Sequence, residues 1–308
     1  MGLMHRVLDF KTRGPIETLA PRQETAQPPE AQSYNDGDPE EVLVQVLQAI
    51  PTLEEGFSGL YQSFHLLRDL LAFDKLVLMG LTNSRELVFE PLINYGFDPS
   101  SLTKLNLGLQ NQQKRRYTAA DESVLQKLSS RDRELAEHPY YLIYLGLSTP
   151  WGALLGSGPF TRFQRQGTPV FGPVAQIMDT HIPRFLPKHP GSTGSIPKEQ
   201  FSKAVTDPQS IGILELSLFY KVFQESYPDT VVANFGPLLR GWVEGFLPPS
   251  TLFTWIDEQR GGFFVPEIGP VVYEIVIRQL DEYLARSFLL EIPTSLGVVG
   301  TLEQLFSS

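Results

Sequence analysis

The sequence predicts an α+β protein, an antiparallel sheet with flanking helices followed by a mostly α-helical C-terminal domain. Three observations carry this reading. Two pairs of apolar runs, 75–82 with 86–94 and 141–147 with 151–157, are each split by a three-residue break of hairpin length. Apolar stripes at three- and four-residue steps, over 53–71 and 174–185, supply helices to cover such a sheet. Beyond PKHPGSTGSIP (187–197), whose prolines, glycines and serines mark a domain linker, the periodicity is helical.

The composition suits a folded protein. The 308 residues are 42% hydrophobic and 19% charged, and a prior of roughly 100–200 residues per domain suggests two domains. The net charge of −10 is unevenly spread: residues 195–308 hold 7 Lys and Arg against 14 Asp and Glu. Nucleic-acid surfaces are basic because phosphate contacts dominate their affinity, so nucleic acid is not an expected partner of this half. With no cysteine there is no disulfide framework and no thiolate chemistry. No apolar run approaches the ~20 residues of a membrane helix, and MGLMHRVLDF lacks the apolar core of a secretion signal, so a cytoplasmic protein is expected. Gly2 invites myristoylation, but Arg6 stands where that motif requires Ser or Thr.

In chain order, residues 1–39 read as a disordered arm, since 11–40 hold five prolines and almost no apolar periodicity. EEVLVQVLQAI (40–50) suits a short helix ended by Pro51. Thr52 and Glu55 then have capping-box spacing for a helix carrying Leu53, Phe57, Leu60, Tyr61, Phe64, Leu67 and Leu71 on one face. His65 lies just off that stripe with no second ligand nearby and reads as structural. KLVLMGLT and ELVFEPLIN form the first hairpin, and Pro91 places its second strand at an edge or bulge. Residues 95–139 cross over, with a charged helix from Ala119 to Glu137. Lys114, Arg115 and Arg116 read as a solvated turn, and Asp132, Glu134 and Glu137 as a wet helix face interleaved with Lys127, Arg131 and Arg133.

A second hairpin follows, whose Gly152, Gly156 and Gly158 match no phosphate-binding fingerprint and read as bulges or close-packing positions. A closing helix follows from Phe171 to Leu186, which Pro183 shortens or kinks. Asp179 and His181, two residues apart, cannot face each other on it.

In the C-terminal part, Gly212–Tyr227 reads as helical, Asp229 as a cap, Pro237 as a first-turn residue of the next helix, and Ser250 as the cap of another short piece. Gly261 and Gly262 read as a turn. Val271–Leu290 is the most regular helix, with Val272, Val276, Leu280, Leu284 and Phe288 in a row. Leu296–Phe306 closes a bundle of short helices. A helix-turn-helix is disfavoured by the acidic balance and the Pro- and Gly-broken helices.

The amphipathic helix running into KLVLMGL, the hairpin to ELVFEPLINYG, the long crossing, and Trp151, Gly152, Ala153, Leu154, Leu155 and Phe160 before a closing helix form one pattern. Over residues 40–186 it resembles a GAF domain, a ligand-sensing fold with a six-stranded antiparallel sheet and flanking helices. The last strand pair is similar to the sensor halves of some bacterial transcription regulators. The resemblance implies a small-molecule pocket between the sheet and the crossing segment, lined by Tyr95, Tyr117, Tyr140, Tyr144 and Trp151, for each of which ordinary core packing is the alternative role. Lacking cysteine, the chain cannot attach a bilin or ligate haem through a thiolate, and no cofactor or metal is expected.

These readings converge on a non-enzymatic sensory or regulatory protein. The 40–186 domain would bind a small molecule or protein partner, and the acidic 198–308 domain would relay the signal or dock a partner. The alternative is a scaffold acting through protein–protein assembly, as a homo-oligomer for instance, with Val276, Leu280 and Leu284 as the docking row. An enzyme would need a His beside a carboxylate or converging carboxylates, with His138 and His181 the first places to look.

Overall fold

The structure, a computed structural model, describes residues 49, 53, 56–83, 88–108, 117–134, 136–146, 151–159, 164–165, 168–169, 171–186, 195–248, 250–266 and 270–307. The N-terminal arm, most of the 40–50 helix, the Thr52/Glu55 capping box, Lys114–Arg116, the tip residues of both hairpins, Phe160 and residues 187–194 lie outside them. All described residues belong to one compact unit, Asp36–Ser308.

Helix α1 (Phe57–Leu71) leads into strands β1 (Lys75–Asn83) and β2 (Val88–Tyr95). The crossing segment holds α2 (Pro99–Leu102), β3 (Leu107–Gly108), β4 (Tyr117–Ala119), α3 (Glu122–Leu125) and α4 (Ser130–Glu134). Strands β5 (Tyr140–Leu145) and β6 (Gly152–Ser157) form the second hairpin. A two-residue pair, β7 (Gln164–Arg165) and β8 (Thr168–Pro169), precedes α5 (Gly172–His181) and a 3-10 turn (Ile182–Phe185) that contains Pro183. Six strands form one antiparallel sheet in the order β3-β2-β1-β6-β5-β4. This is the six-stranded antiparallel sheet with flanking helices expected from the sequence.

Strand alternation divides the sheet into two faces. Leu76, Leu78, Ile143, Leu145 and Leu154 face α1 and α5 in the larger of two apolar clusters. Val77, Met79, Phe89, Leu142, Ala153 and Leu155 face the crossing segment, where Phe97, Leu102, Leu105, Val124 and Leu128 cover them in a smaller cluster. Opposite Met79 the register slips at Pro91, leaving Leu92 as an extra residue. This is the bulge that Pro91 called for, and Leu92 and Ile93 both join the larger cluster.

The charged helix expected over 119–137 is two short helices, because Asp121 caps α3 by accepting from Val124 N at 3.1 Å and the chain turns again before Ser130. Among the glycines, Gly156 lies against the Phe73 ring, which occupies the space a side chain would need, so its role is close packing.

The C-terminal part contains more than helices. It comprises α6 (Lys198–Ala204), β9 (Ile211–Glu215), α7 (Ser217–Ser226), α8 (Val232–Phe246), β10 (Leu252–Trp255), β11 (Arg260–Phe264), α9 (Pro270–Phe288), β12 (Gly297–Gly300) and α10 (Leu302–Phe306). Its four strands form a second antiparallel sheet, β10-β11-β9-β12. Gly261 and Gly262 are strand residues. The turn lies at Asp257–Gln259, where the Asp257 carboxylate accepts from Gln259 N at 2.7 Å and Arg260 N at 2.8 Å. The glycines let bulky neighbours lie on the sheet, with the Phe263 ring over Gly212 and Leu305 over Gly262. Pro237 is inside α8, not in its first turn, and Asp229 does not cap that helix.

The larger cluster runs on past residue 197. Phe57 of α1 stacks on Phe288 at 5.2 Å and meets Phe223, Phe235 and Trp242 edge-on at 5.3, 5.1 and 6.1 Å. Each such ring pair adds about 0.5–1.5 kcal/mol beyond burial of area. At Gly56, with φ +89°, a side chain would collide with the Ser287 backbone, so only glycine allows α1 to approach the end of α9 this closely.

Candidate functional site

The implied pocket lies between the six-stranded sheet and the crossing segment. Alternation along β5 turns Tyr140 and Tyr144 toward that side, and both pack with the smaller cluster. The Tyr140 hydroxyl donates to the Asp132 carbonyl at 2.8 Å. Burial, assisted by the Asp132 charge, holds its pKa far above the ordinary tyrosine value. Tyr144 is pushed up to about 12 by burial, then by the charge of Asp121.

Asp132 is the polar centre of this side. Its carboxylate, only 1% exposed, receives Lys75 Nζ at 2.6 Å, Asp98 N at 3.1 Å and the Ser101 hydroxyl. Ser101 Oγ also accepts from Ser129 N at 2.8 Å. A buried carboxylate is tolerable when a cation and further donors meet it, and here they tie α2, α4 and the start of β1 together. The wet helix face is thus wet for Glu134 and Glu137 but not for Asp132. No spacing in the sequence marks Asp132 apart from its charged neighbours, since its partners lie 57 and 31 residues away.

The other three tyrosine and tryptophan candidates are elsewhere. Tyr117 and Trp151 pack against the opposite, larger cluster, Tyr117 at 5.8 Å from the Phe171 ring. Trp151 Nε1 is buried without a hydrogen-bond partner. Tyr95, at the end of β2, is 37% exposed beneath the Arg68 guanidinium, 4.4 Å from its ring centroid. The five therefore do not line one pocket. Val276, Leu280 and Leu284 are 5%, 0% and 0% exposed. This docking row is taken up inside the chain, because α9 lies against β9, β12 and α1.

A half-buried histidine meets a carboxylate at a position that reads as structural in the sequence. His65 Nε2 lies 3.3 Å from Asp229 Oδ2, and the Tyr61 hydroxyl donates to the same oxygen at 3.0 Å. Burial first, then the Arg68 charge, lowers the His65 pKa, with Asp229 and Asp69 acting against them. His138 Nε2 is 4.0 Å from Asp74 on the surface. Asp179 accepts from Gly146 N at 2.6 Å, tying α5 to the turn after β5 rather than to His181.

Among the described residues, one surface depression of about 360 Å³ is bounded by Pro208, Thr301, Leu302 and Phe306, and another of about 420 Å³ by Tyr220, Lys221, Gln224 and Gln259. Neither is on the crossing-segment side. Among the described residues no three His, Asp or Glu side chains gather to hold a metal ion, and no helix is long and apolar enough to cross a membrane.

No family model and no curated protein matches the chain. Among solved structures, it is similar to the GAF domain of a phosphoenolpyruvate-protein phosphotransferase from Coxiella burnetii, with 16% identity over 48% of this chain and 89% of that one and a TM-score of 0.32.

Proposed function

We propose that the chain is a non-enzymatic regulatory protein. A small molecule or a protein partner engages the six-stranded sheet on the crossing-segment side, where Tyr140 and Tyr144 lie, and the part after residue 197 passes the change on. The observation that carries this reading is the double role of α1. It covers one face of the six-stranded sheet and presents Phe57 to Phe223, Phe235, Trp242 and Phe288 of the C-terminal part. A shift of the sheet against α1 therefore cannot leave that aromatic group undisturbed, since close-packed cores transmit displacement. The scaffold alternative draws no support from Val276, Leu280 and Leu284, whose side chains are buried.

Native mass spectrometry of the full chain, followed by thermal melts against a metabolite panel, tests the sensing. A small molecule retained natively and lost on denaturation, or a compound raising the melting temperature by several degrees, is the expected result. Tyr144→Phe should weaken that shift. A chain that carries no ligand and whose melting responds to no compound overturns small-molecule sensing and leaves a protein partner.

A further inference from the structure

The groove between α7 and α8 contains two buried polar atoms that the fold leaves unpaired. Tyr220, Lys221 and Gln224 share a face of α7, because Gln224 stands four and three residues beyond the other two. With Val232 of α8 and Gln259 of the turn before β11, they wall the depression of about 420 Å³. Among the described residues Glu225 is the one carboxylate in that wall.

Tyr220 is 6% exposed, and its hydroxyl crosses to α8, where a side chain at Gly236 would meet it at 3.3 Å. It has no hydrogen-bond partner among the described residues. Val232, Gly236 and Arg240 are spaced four residues apart in one row along α8, so the turn beyond the hydroxyl brings Arg240, whose Nε is also buried and unpartnered. The rest of that guanidinium is held in place. Nη2 donates to the Asp257 carbonyl at 3.3 Å, and Cζ lies 5.2 Å from the Trp255 ring centroid. Glu244, one turn further on, turns its carboxylate to Trp255, whose Nε1 donates to Oε1 at 2.8 Å.

We infer that the groove between α7 and α8 is a binding site for a small monocarboxylate, whose acid group accepts hydrogen bonds from the Tyr220 hydroxyl and Arg240 Nε. Both atoms can donate, and a buried donor without an acceptor carries a desolvation cost that an incoming acceptor removes. A carboxylate is the acceptor that a guanidinium edge matches best. A doubly charged phosphate suits the groove less, because Glu225 stands in its wall and residues 195–308 carry 14 acids against 7 bases. Lys221 and Gln224 are long exposed side chains, so the acid group reaches the two donors by displacing them. The Tyr220 ring meanwhile keeps its packing against Phe219 and Phe235. The site is separate from the crossing-segment side and independent of the sensing assigned there.

The test is a titration of the full chain with propionate and lactate, with propionamide and lactamide as uncharged controls at matched ionic strength. The Arg240 Nε–H signal, followed by heteronuclear NMR and assigned by its loss in Arg240→Lys, should shift saturably with the two acids and not with the amides. Tyr220→Phe should melt no lower than the unaltered chain, because it deletes an unpaired buried hydroxyl. The same variant should weaken binding of both acids by about tenfold or more. Tyr144→Phe, on the crossing-segment side, should leave that binding unchanged. The site is overturned if neither acid gives a saturable shift, if the amides shift the signal equally, or if Tyr220→Phe binds undiminished. A large loss of stability in Tyr220→Phe overturns it too, since the hydroxyl would then be engaged within the fold.

Discussion

The two faces of the six-stranded sheet are closed by different means. On the α1 face the closure is aromatic and continuous: Phe57, Phe223, Phe235, Trp242 and Phe288 are all at most 1% exposed and belong to a cluster that reaches the last helix of the chain. On the crossing-segment face the cover is made of helices of four and five residues, too short to be stable alone, over a smaller apolar cluster tied down by one buried carboxylate. The first face can change only if a large part of the core changes with it. The second depends on one polar knot, and local opening is cheapest where few apolar contacts must be given up. That asymmetry is why the proposed ligand is assigned to the second face and the transmission to the first.

The strongest challenge to this comparison is to damage each face in turn. Leu280→Glu buries an unpaired charge in the larger cluster and should cost more than about 4 kcal/mol, leaving little folded protein by circular dichroism or urea titration. A variant that stays folded but dissociates an oligomer would show that α9 is not the core helix described. Asp132→Ala comes next. It strands Lys75 beside a buried cavity and should cost about 3–5 kcal/mol. The difference between the faces predicts that this loss appears first as faster amide exchange over 98–105 and 129–134, ahead of the strands. Lys75→Met with Asp132→Leu, which removes both charges, should recover much of the loss. Uniform exchange across both faces in Asp132→Ala would mean that the knot is no more local than the aromatic core.

Legibility in the sequence divides along the same line. The hairpins, the α1 stripe and the row on α9 were readable because period-2 and helical-step patterns are local and every buried apolar residue reports on its own face. The small sheet was misread because Gly261 and Gly262 carry turn chemistry in sequence, while their use as flat seats for Leu305 and Trp255 depends on tertiary neighbours. The five residues at 211–215, of which Ile211, Ile213 and Leu214 are the large apolar ones, are too few to separate strand from helix by periodicity. The polar sites were hidden for a further reason. Asp229 meets Tyr61 across 168 residues and reads in the sequence as a helix cap, and Asp132 meets Lys75 across 57 and reads as one acid of a wet helix face. The site residues implied by the resemblance were sorted by strand parity alone, which puts Tyr140 and Tyr144 on one face and Tyr117 on the other.

The subtlest expected effect compares two tyrosines, one on each side. Burial, as the largest cause, pushes both Tyr144 and Tyr220 up to about 12. A tyrosine whose folded pKa is raised gives stability that is complete below its unfolded value near 10 and is lost as pH rises through the folded value. Both therefore weaken the fold above pH 10, but their routes to ionisation differ. Tyr144 is released when the crossing segment opens, whereas Tyr220, 6% exposed and packed at 6.4 Å from both Phe219 and Phe235, must wait for the larger cluster to yield. Absorbance at 295 nm during alkaline titration should thus lose an early component in Tyr144→Phe and a late one, coincident with global unfolding, in Tyr220→Phe. Were both components to vanish at the same pH, the two sides would open as one cooperative unit, and the crossing-segment side would have no special claim to a ligand.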